Sequence, residues 1–229
     1  MKPLVRWTIG NSTPNGYESL LQSVINFRKL YDVDIVVCHN NHPEITDFAI
    51  NGFKCIDQTK YNTKDIGVAW KLYPSRLGPT QHEIFIDNDL IIESHIDEID
   101  QFLGSNSTLL LEGEGRNYGR FNNHVPPGFN INSGLFGVPP NFNLQKYINF
   151  FSDNWQNNCS HSSHTWDEQG LVAFALLSYE KHVIIPNTKI TNCESNFKPA
   201  QGMHFVGLNR RKHHQPWNDY KYYKLPFYL

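Results

Sequence analysis

Two aspartates interrupt an apolar run in the segment EIFIDNDLII (83–92). The apolar residues stop at Asp87-Asn88-Asp89 and resume at once. Buried carboxylates are costly unless a cation or hydrogen-bond donors compensate them. Residues i and i+2 of an extended segment point the same way, so Asp87 and Asp89 can face one point. Their spacing predicts a site for Mg²⁺ or Mn²⁺, hard cations that keep open positions for a diphosphate. The alternative is a turn in which both aspartates are solvated.

A second candidate region lies near the C-terminus, in the segment GMHFVGLNRRKHHQPW (202–217). A neutral imidazole at His204 can complete the coordination of a metal beside two carboxylates. Gly207 permits close approach of the backbone to a ligand, and a following cation can balance a phosphate. The cations that follow are Arg210, Arg211 and Lys212. The alternative is a basic, solvated loop with one histidine facing the core.

Alternating strands and helices must position these residues. In the first hundred residues the apolar patterns predict helices at 17–32 and 64–77 and strands at 5–10, 33–40, 52–57 and 83–92. Farther on they predict helices at 142–155 and 167–180 and strands at 107–114, 131–139 and 182–187. The alternation predicts an α/β fold with a mostly parallel sheet covered on both faces. Ligands of such sheets bind beyond the carboxyl ends of the strands. We expect the aperiodic last fifty residues to wrap over a site rather than form their own core.

The composition narrows the class of protein. The chain has 229 residues, of which 39% are apolar and 18% charged, as in a folded globular protein. Its 20 Lys and Arg against 22 Asp and Glu leave a formal net charge of −2, so no basic field indicates nucleic acid. The N-terminus lacks the apolar stretch of a signal peptide and no segment resembles a membrane span, which predicts a cytoplasmic protein. The four cysteines have no CxxC spacing, so no zinc knuckle is indicated.

The order of the motifs adds a family resemblance. A strand ending in DxD is followed by an NSG strand, a DE helix start, and HxxG with basic residues and Pro-Trp after it. This order resembles the GT-A-fold glycosyltransferases, closest to the retaining group that includes glycogenin and the bacterial lipopolysaccharide galactosyltransferases. The likeness spans residues 8–217. It implies one GT-A-like domain over 1–229, with a central, mostly parallel twisted sheet, a nucleotide-binding half over about 1–100 and an acceptor and catalytic half over about 101–229.

The resemblance also implies roles for individual residues. It makes Asp87, Asp89 and His204 the ligands of Mn²⁺ or Mg²⁺, with Asp87 near the ribose. It gives Lys71 as the basic residue that reaches the diphosphate or sugar, with Arg76 in reserve. The other residues implied in binding the nucleotide-sugar are Thr8, Ile9, Gly10, Asn11, Asn88, Asn132, Ser133, Gly207 and Arg210.

The segment WDEQGL (166–171) resembles the family segment whose acidic or amide side chain faces the anomeric carbon. Glu168 and Asp167 are therefore the catalytic candidates. The alternative is that both only cap a helix, since acids favour first turns. The family's Asp-Gln pair reads Asp-Glu here, so the resemblance leaves a retaining or inverting outcome open. Likewise, the family has a Lys three residues after the glycine of HxxG, where this chain has Arg210. Pro216-Trp217 also follows farther along the chain than in the family. The resemblance therefore leaves open which of the cations contacts phosphate.

The activity implied by the resemblance is metal-dependent transfer of a sugar from a nucleotide-diphosphate donor, expected to be a UDP-sugar, to a hydroxyl acceptor. The expected partners are that donor and a glycan or other acceptor in glycan or polysaccharide synthesis. One alternative is a metal-dependent phosphohydrolase, which requires a second carboxylate cluster, whereas Asp97, Glu98 and Asp100 indicate a solvated helix. The other alternative is a nucleotide-sugar-binding module without catalysis.

Overall fold

A computed structural model describes residues 1–10, 13–40, 53–59, 71–155, 166–193, 200–208 and 213–224. The main sheet contains the strands β1 (Leu4–Ile9), β2 (Asp34–His39), β3 (Lys54–Asp57), β4 (Glu83–Asp87), β6 (Thr108–Glu112), β7 (Ile131–Val138) and β8 (His182–Ile185). Their order is β3-β2-β1-β4-β7-β6-β8. Strand β7 runs antiparallel to β4 and β6, and the other neighbouring pairs are parallel. The predicted mostly parallel α/β sheet is confirmed.

The central strand β4 is buried on both faces, and its successive side chains point to opposite sides of the sheet. Ile84 and Ile86 pack in one apolar cluster with α1 (Pro14–Leu30). Phe85 packs in a second cluster with α4 (Asp167–Leu177). The described ranges also contain the helices α2 (Asp97–Leu103), α3 (Leu144–Trp155) and α5 (Gln215–Lys224) and a 3-10 helix (Gly119–Asn123). Within the described ranges, no helix has the length and apolar character needed to cross a membrane.

The segment predicted as a single strand at 83–92 is two strands in different sheets. Strand β4 ends at Asp87, a turn follows at Asn88-Asp89, and β5 (Leu90–Ile92) then joins a three-stranded sheet. Its other strands are β9 (Ile190–Asn192) and β10 (Gly202–His204), in the order β5-β10-β9. The apolar residues on either side of the turn are buried alike, so their hydropathy does not reveal the change of sheet. The polar residues therefore lie between strands and not in the middle of one.

The C-terminal segment forms a small core of its own, contrary to the expectation from its lack of periodicity. It contributes β9, β10 and α5. Trp217 and Tyr220 stack with ring centroids 5.4 Å apart. The buried members of this cluster are Ile91, Cys193, Met203, Phe205, Leu208, Trp217 and Tyr220. These residues come from β5, β10, α5 and the irregular segments that follow β9 and β10, so no single period links them.

The segment before β4 is held by a buried arginine. Arg6 of β1 is fully buried and donates to the Lys71 carbonyl and to the Pro74 carbonyl, each at 2.7 Å. Of the helix predicted at 64–77, residues 64–70 lie outside the described residues, and residues 73–77 are not helical. The arginine contacts anchor the backbone of Lys71 against the central sheet.

Candidate active site

The turn after β4 is attached to the first helix. Asn88 donates from Nδ2 to the Gly16 carbonyl at 2.9 Å, and its own carbonyl accepts from Ser19 Oγ at 2.8 Å. Gly16 and Ser19 lie in the first turns of α1, which begins after Thr13, whose side chain accepts from the Gly16 N–H. The side chain and the carbonyl of Asn88 are thus both held by α1. Contact of Asn88 with the donor stays a prediction.

Asp87, Asp89 and His204 converge, as the sequence pattern predicted. Strand β10 pairs with β5 so that His204 lies opposite Leu90, beside the turn. Nε2 of His204 is 3.3 Å from Oδ1 of Asp89. One ligand atom from each of the three residues lies within 4.8 Å of the others. Within the described part of the chain this is the one such group of three His, Cys, Asp or Glu residues.

The donor set fits a divalent cation. Two carboxylates and an imidazole suit Mn²⁺ or Mg²⁺, and a neutral imidazole is the ligating form. Nε2 of His204 is the ring nitrogen that faces Asp89, whereas Nδ1 is buried and has no hydrogen-bond partner among the described residues. Burial lowers the pKa of His204, but Asp89 and Asp87 outweigh it and raise that pKa above its ordinary value. Without a metal the two carboxylates therefore favour a protonated imidazole.

Lys71 lies between the group of Asp87, Asp89 and His204 and a further carboxylate, Glu168. Nζ of Lys71 is 2.9 Å from Oδ1 of Asp87, 3.0 Å from Oε1 of Glu168 and 3.0 Å from the Ser133 carbonyl. Burial lowers the pKa of Lys71, yet the two carboxylates together raise it above its ordinary value. Burial raises the pKa of Asp87 and of Glu168, and the Lys71 ammonium opposes this in both. Lys71 is therefore charged, because two acids surround it.

The structure separates the two acids that begin α4. Glu168 faces Lys71 and accepts from Ser133 Oγ at Oε2, 3.0 Å away. The Oε1 atom of Glu168 is buried and is not aligned for a hydrogen bond with any described residue, although it is ion-paired. Asp167 instead accepts from the backbone N–H and Nε of Arg120, each at 2.8 Å. The site therefore includes Glu168, whereas Asp167 anchors the 3-10 helix to α4.

The predicted asparagine strand does border the site. Asn132 Oδ1 accepts from the Gly134 N–H at 2.7 Å, where the pairing of β7 with β6 shifts register. Gly134 lies against His204, since a Cβ there would be 2.5 Å from Cε1 of the imidazole. Ser133 is buried and contacts both Lys71 and Glu168. Asn132 is thus held by its own turn, and Ser133 belongs to the charged group.

The first strand reaches the same edge of the sheet. Thr8 pairs in register with Asp87, so β1 and β4 end together. The Ile9 side chain is buried in the core, and its carbonyl accepts from the Asn40 N–H at 3.0 Å. Gly10 follows at this edge and is half-buried. The contact of these residues with a nucleotide stays a prediction, and Asn11 lies outside the described residues.

Arg76, the reserve candidate for donor binding, is not part of this group. Its Nε donates to Oε2 of Glu83 at 3.0 Å, and its other nitrogens donate to four backbone carbonyls. Glu83 begins β4 and Asp87 ends it, so Arg76 lies at the opposite end of that strand. Arg76 and Arg6, which is 3.4 Å from Oε1 of Glu83, together neutralise this buried carboxylate. This corrects the prediction for Arg76.

In the C-terminal segment, Gly207 has φ +82°, a left-handed conformation that suits glycine. Leu208, which follows it, has its carbonyl 3.4 Å from Oγ1 of Thr13, just before α1. This places the turn at Gly207 near the amino end of α1. The cations predicted to contact phosphate, Arg210, Arg211 and Lys212, lie outside the described residues.

Sequence reasoning missed two residues of this region. Arg120, the partner of Asp167, lies between the strands predicted at 107–114 and 131–139, where the sequence predicted no helix or strand. Gly134 stood beside two named candidates in the NSG segment, and a glycine within an apolar strand is a signal for close approach. The residues next to Arg120 in the sequence give no indication of its partner, Asp167, which lies 47 residues away in the chain.

No protein-family model matches the chain, and no curated protein matches its sequence. Solved structures match it in fold. An active-site Gln-to-Glu mutant of LgtC superposes over 94% of each chain with a TM-score of 0.60 at 8% identity. GlyE from Streptococcus pneumoniae TIGR4 gives a TM-score of 0.56 at 12% identity, over 96% of this chain and 60% of GlyE. Mouse xyloside xylosyltransferase 1 gives 0.53 at 11% identity, over 92% of this chain and 99% of the other.

The fold shared with these proteins is the GT-A fold, as the order of the motifs predicted. Another structure of LgtC, 9% identical, is described as a galactosyltransferase with donor and acceptor sugar analogs. Identities this low define the architecture of the chain. They assign no substrate to it.

Proposed function

We propose that this protein is a metal-dependent glycosyltransferase that moves a sugar from a nucleotide-diphosphate donor to a hydroxyl acceptor. The observation that carries the proposal is the convergence of Asp87, Asp89 and His204 at the carboxyl end of β4. In open α/β sheets this is the edge where ligands bind. The fold shared with glycosyltransferases supports the same function.

The three clustered side chains would hold Mn²⁺ or Mg²⁺. A divalent ion there would supply positive charge to a leaving diphosphate, which is the costly charge in this reaction. Asp87 is the most accessible of the three, with 28% of its side chain exposed, whereas Asp89 and His204 are buried. Asp87 is therefore the ligand that faces the side from which a nucleotide would approach.

Glu168 is the catalytic carboxylate in this proposal. An anomeric carbon that loses a diphosphate develops oxocarbenium character, which a nearby carboxylate stabilises. Ser133 and Lys71 hold the two oxygens of Glu168, so its negative charge has a defined place before substrate binds. In many enzymes, preorganised charge of this kind lowers the activation barrier more than any other single effect. Asp167 is engaged by Arg120 and takes no part in the proposed chemistry.

The donor proposed is a UDP-sugar, because the group that the motifs resemble mostly uses UDP-sugars and because LgtC binds a donor sugar analog in a comparable fold. The acceptor proposed is a glycan or another hydroxyl compound, as in glycan or polysaccharide synthesis. The division into a nucleotide-binding half over about 1–100 and an acceptor half over about 101–229 belongs to the same proposal. The cytoplasmic location likewise stays a prediction.

The two other functions weighed from the sequence have less support. A two-metal phosphohydrolase needs a second carboxylate cluster, and within the described ranges Asp97, Glu98 and Asp100 lie on α2 facing Lys189 and His95. A binding module without catalysis would not need a buried carboxylate held between a lysine and a serine. Turnover discriminates between binding and catalysis.

The test is to incubate the protein with Mn²⁺ and a panel of nucleotide-sugars, with and without simple sugar acceptors, and to measure the nucleoside diphosphate released. The proposal expects release from at least one UDP-sugar, lost on chelation with EDTA and restored by Mn²⁺. Asp97→Asn, on the exposed surface of α2, is the matched control for Asp89→Asn. Release that is equal in Asp89→Asn and wild-type protein would contradict the proposed metal site.

A further inference from the structure

Lys71 is surrounded by as many protein oxygens as its ammonium has N–H bonds. Those of Asp87, Glu168 and Ser133 all lie within 3.0 Å of Nζ. The side chain of Lys71 is only 9% exposed, and Arg6 donates a hydrogen bond of 2.7 Å to the Lys71 backbone carbonyl. A diphosphate that approached this ammonium would have to compete with these three oxygens, two of them carboxylate oxygens. The contacts already in place define a different role.

The charges around Lys71 explain why the lysine is needed there. Asp87, Asp89 and Glu168 bring three carboxylates into one buried region, and Lys71 contacts the first and the last. Buried carboxylates without a counter-ion are strongly disfavoured. We propose that Lys71 is an internal counter-ion, a positioning residue that couples the metal cluster to Glu168 instead of binding the donor's diphosphate. The inference rests on the proposed function, because it concerns the affinity of that metal cluster.

This coupling has a consequence for metal binding. Lys71 and Glu168 are not in the ligand set, yet each changes the charge beside Asp87 by one unit. With Asp87, Asp89 and Glu168 negative and Lys71 positive, these four side chains carry −2 in wild-type protein. They carry −3 in Lys71→Met, −1 in Glu168→Gln and −2 in the double variant. Coulomb attraction for a divalent cation should therefore be strongest in Lys71→Met, equal in wild-type protein and the double variant, and weakest in Glu168→Gln. Screening reduces these differences little, because the charges are partly buried.

The experiment is an electron paramagnetic resonance titration of free Mn²⁺ into the protein, without nucleotide. We expect Lys71→Met to tighten Mn²⁺ binding about tenfold, Glu168→Gln to weaken it about tenfold and the double variant to return close to wild type. The matched control is Lys189→Met. It removes the same charge from a lysine whose own pair with Glu98, at 2.8 Å, lies at the opposite end of β9 and β10 from His204. That control should leave Mn²⁺ affinity unchanged.

The outcomes separate this inference from the proposed function. Wild-type protein that does not bind Mn²⁺ would overturn both. Mn²⁺ binding that is lost in Asp89→Asn but unaltered in Lys71→Met and Glu168→Gln would keep the metal site and overturn the coupling. In that case, weaker UDP binding in Lys71→Met at saturating Mn²⁺ would assign the lysine to the diphosphate. If Lys71→Met does not fold, Glu168→Gln alone decides, and unchanged Mn²⁺ affinity would overturn the inference.

Discussion

Replacing Glu168 by glutamine tests whether this residue is catalytic or only a partner for Lys71. Glutamine has the same shape, and its amide can still hydrogen bond with Ser133 Oγ, which is 3.0 Å from the carboxylate. The variant loses the ion pair with Lys71, while Lys71 keeps Asp87 at 2.9 Å. Because one acid remains, we expect the free energy of unfolding to fall by only about 1–3 kcal/mol, the cost of leaving a buried polar group without one of its partners.

The effect of this variant on rate should be much larger than its effect on stability. If the charge of Glu168 stabilises the oxocarbenium-like state, its loss should reduce the single-turnover rate on the order of 10²–10³-fold. Affinity for UDP should change little when Mn²⁺ is saturating, because no contact of Glu168 is made to the proposed ligand set. The assay is release of UDP from a UDP-sugar in a rapid-quench experiment, paired with a thermal or urea unfolding curve.

The matched control is Asp167→Asn, one residue earlier in the same helical turn. Asp167 pairs with Arg120 at 2.6 Å and does not contact Lys71 in the structure. We therefore expect this variant to lose stability, about 1–3 kcal/mol, and to keep a rate within a few-fold of wild type. A Glu168→Gln variant with wild-type turnover would refute the catalytic role. An Asp167→Asn variant that loses turnover without losing stability would show that the roles of the two acids have been exchanged.

Three further predictions concern the framework. Gly119→Ala should lower the free energy of unfolding by roughly 1–3 kcal/mol in a urea titration, since Gly119 has φ +54° and a Cβ there would collide with Asp167. Gly115 has open space around it, so Gly115→Ala should be near neutral in the same titration. Arg76→Met should destabilise by roughly 1–3 kcal/mol, because Glu83 loses one of its two arginine partners and keeps Arg6 at 3.4 Å, but should leave UDP affinity in calorimetry unchanged. Burial raises the pKa of Tyr31 from 10.0 to about 12, so its contribution to stability is complete below pH 10 and is lost as the pH rises to about 12. Tyr31→Phe should reduce that alkaline loss by on the order of 2 kcal/mol, and an unchanged loss would contradict the assignment.

Much of the fold could be predicted from the sequence because its information is local. Apolar runs between polar turns indicated β1, β2 and β4, and helical spacing indicated α1, α3 and α4 within a few residues. Asp87 and Asp89 converge as predicted, although Asp89 lies in a turn and not in the extended segment from which the prediction was argued. These features depend on neighbours in the chain, which a single sequence contains.

The parts that could not be predicted depend on contacts between distant segments. Apolar residues on both sides of Asn88-Asp89 are equally buried, so only the antiparallel pairing with β10 distinguishes β5 from a continuation of β4. Adjacent residues in a helix point about 100° apart, so Asp167 and Glu168 had to face different partners. Which of them faced Lys71 was decided by the packing of α4 on β7, and that packing is tertiary.

The most direct test of the central claim is a calorimetric titration of UDP into wild-type protein and into Asp89→Asn, each with Mn²⁺ and with EDTA. The claim is that Asp87, Asp89 and His204 hold the metal through which a nucleoside diphosphate binds. We expect wild-type protein to bind UDP with Mn²⁺ and to lose at least tenfold in affinity with EDTA, and Asp89→Asn to bind weakly in both buffers. GDP in place of UDP should bind more weakly. Equal UDP affinity in the four titrations would contradict the metal site, and tighter binding of GDP would contradict the choice of uridine.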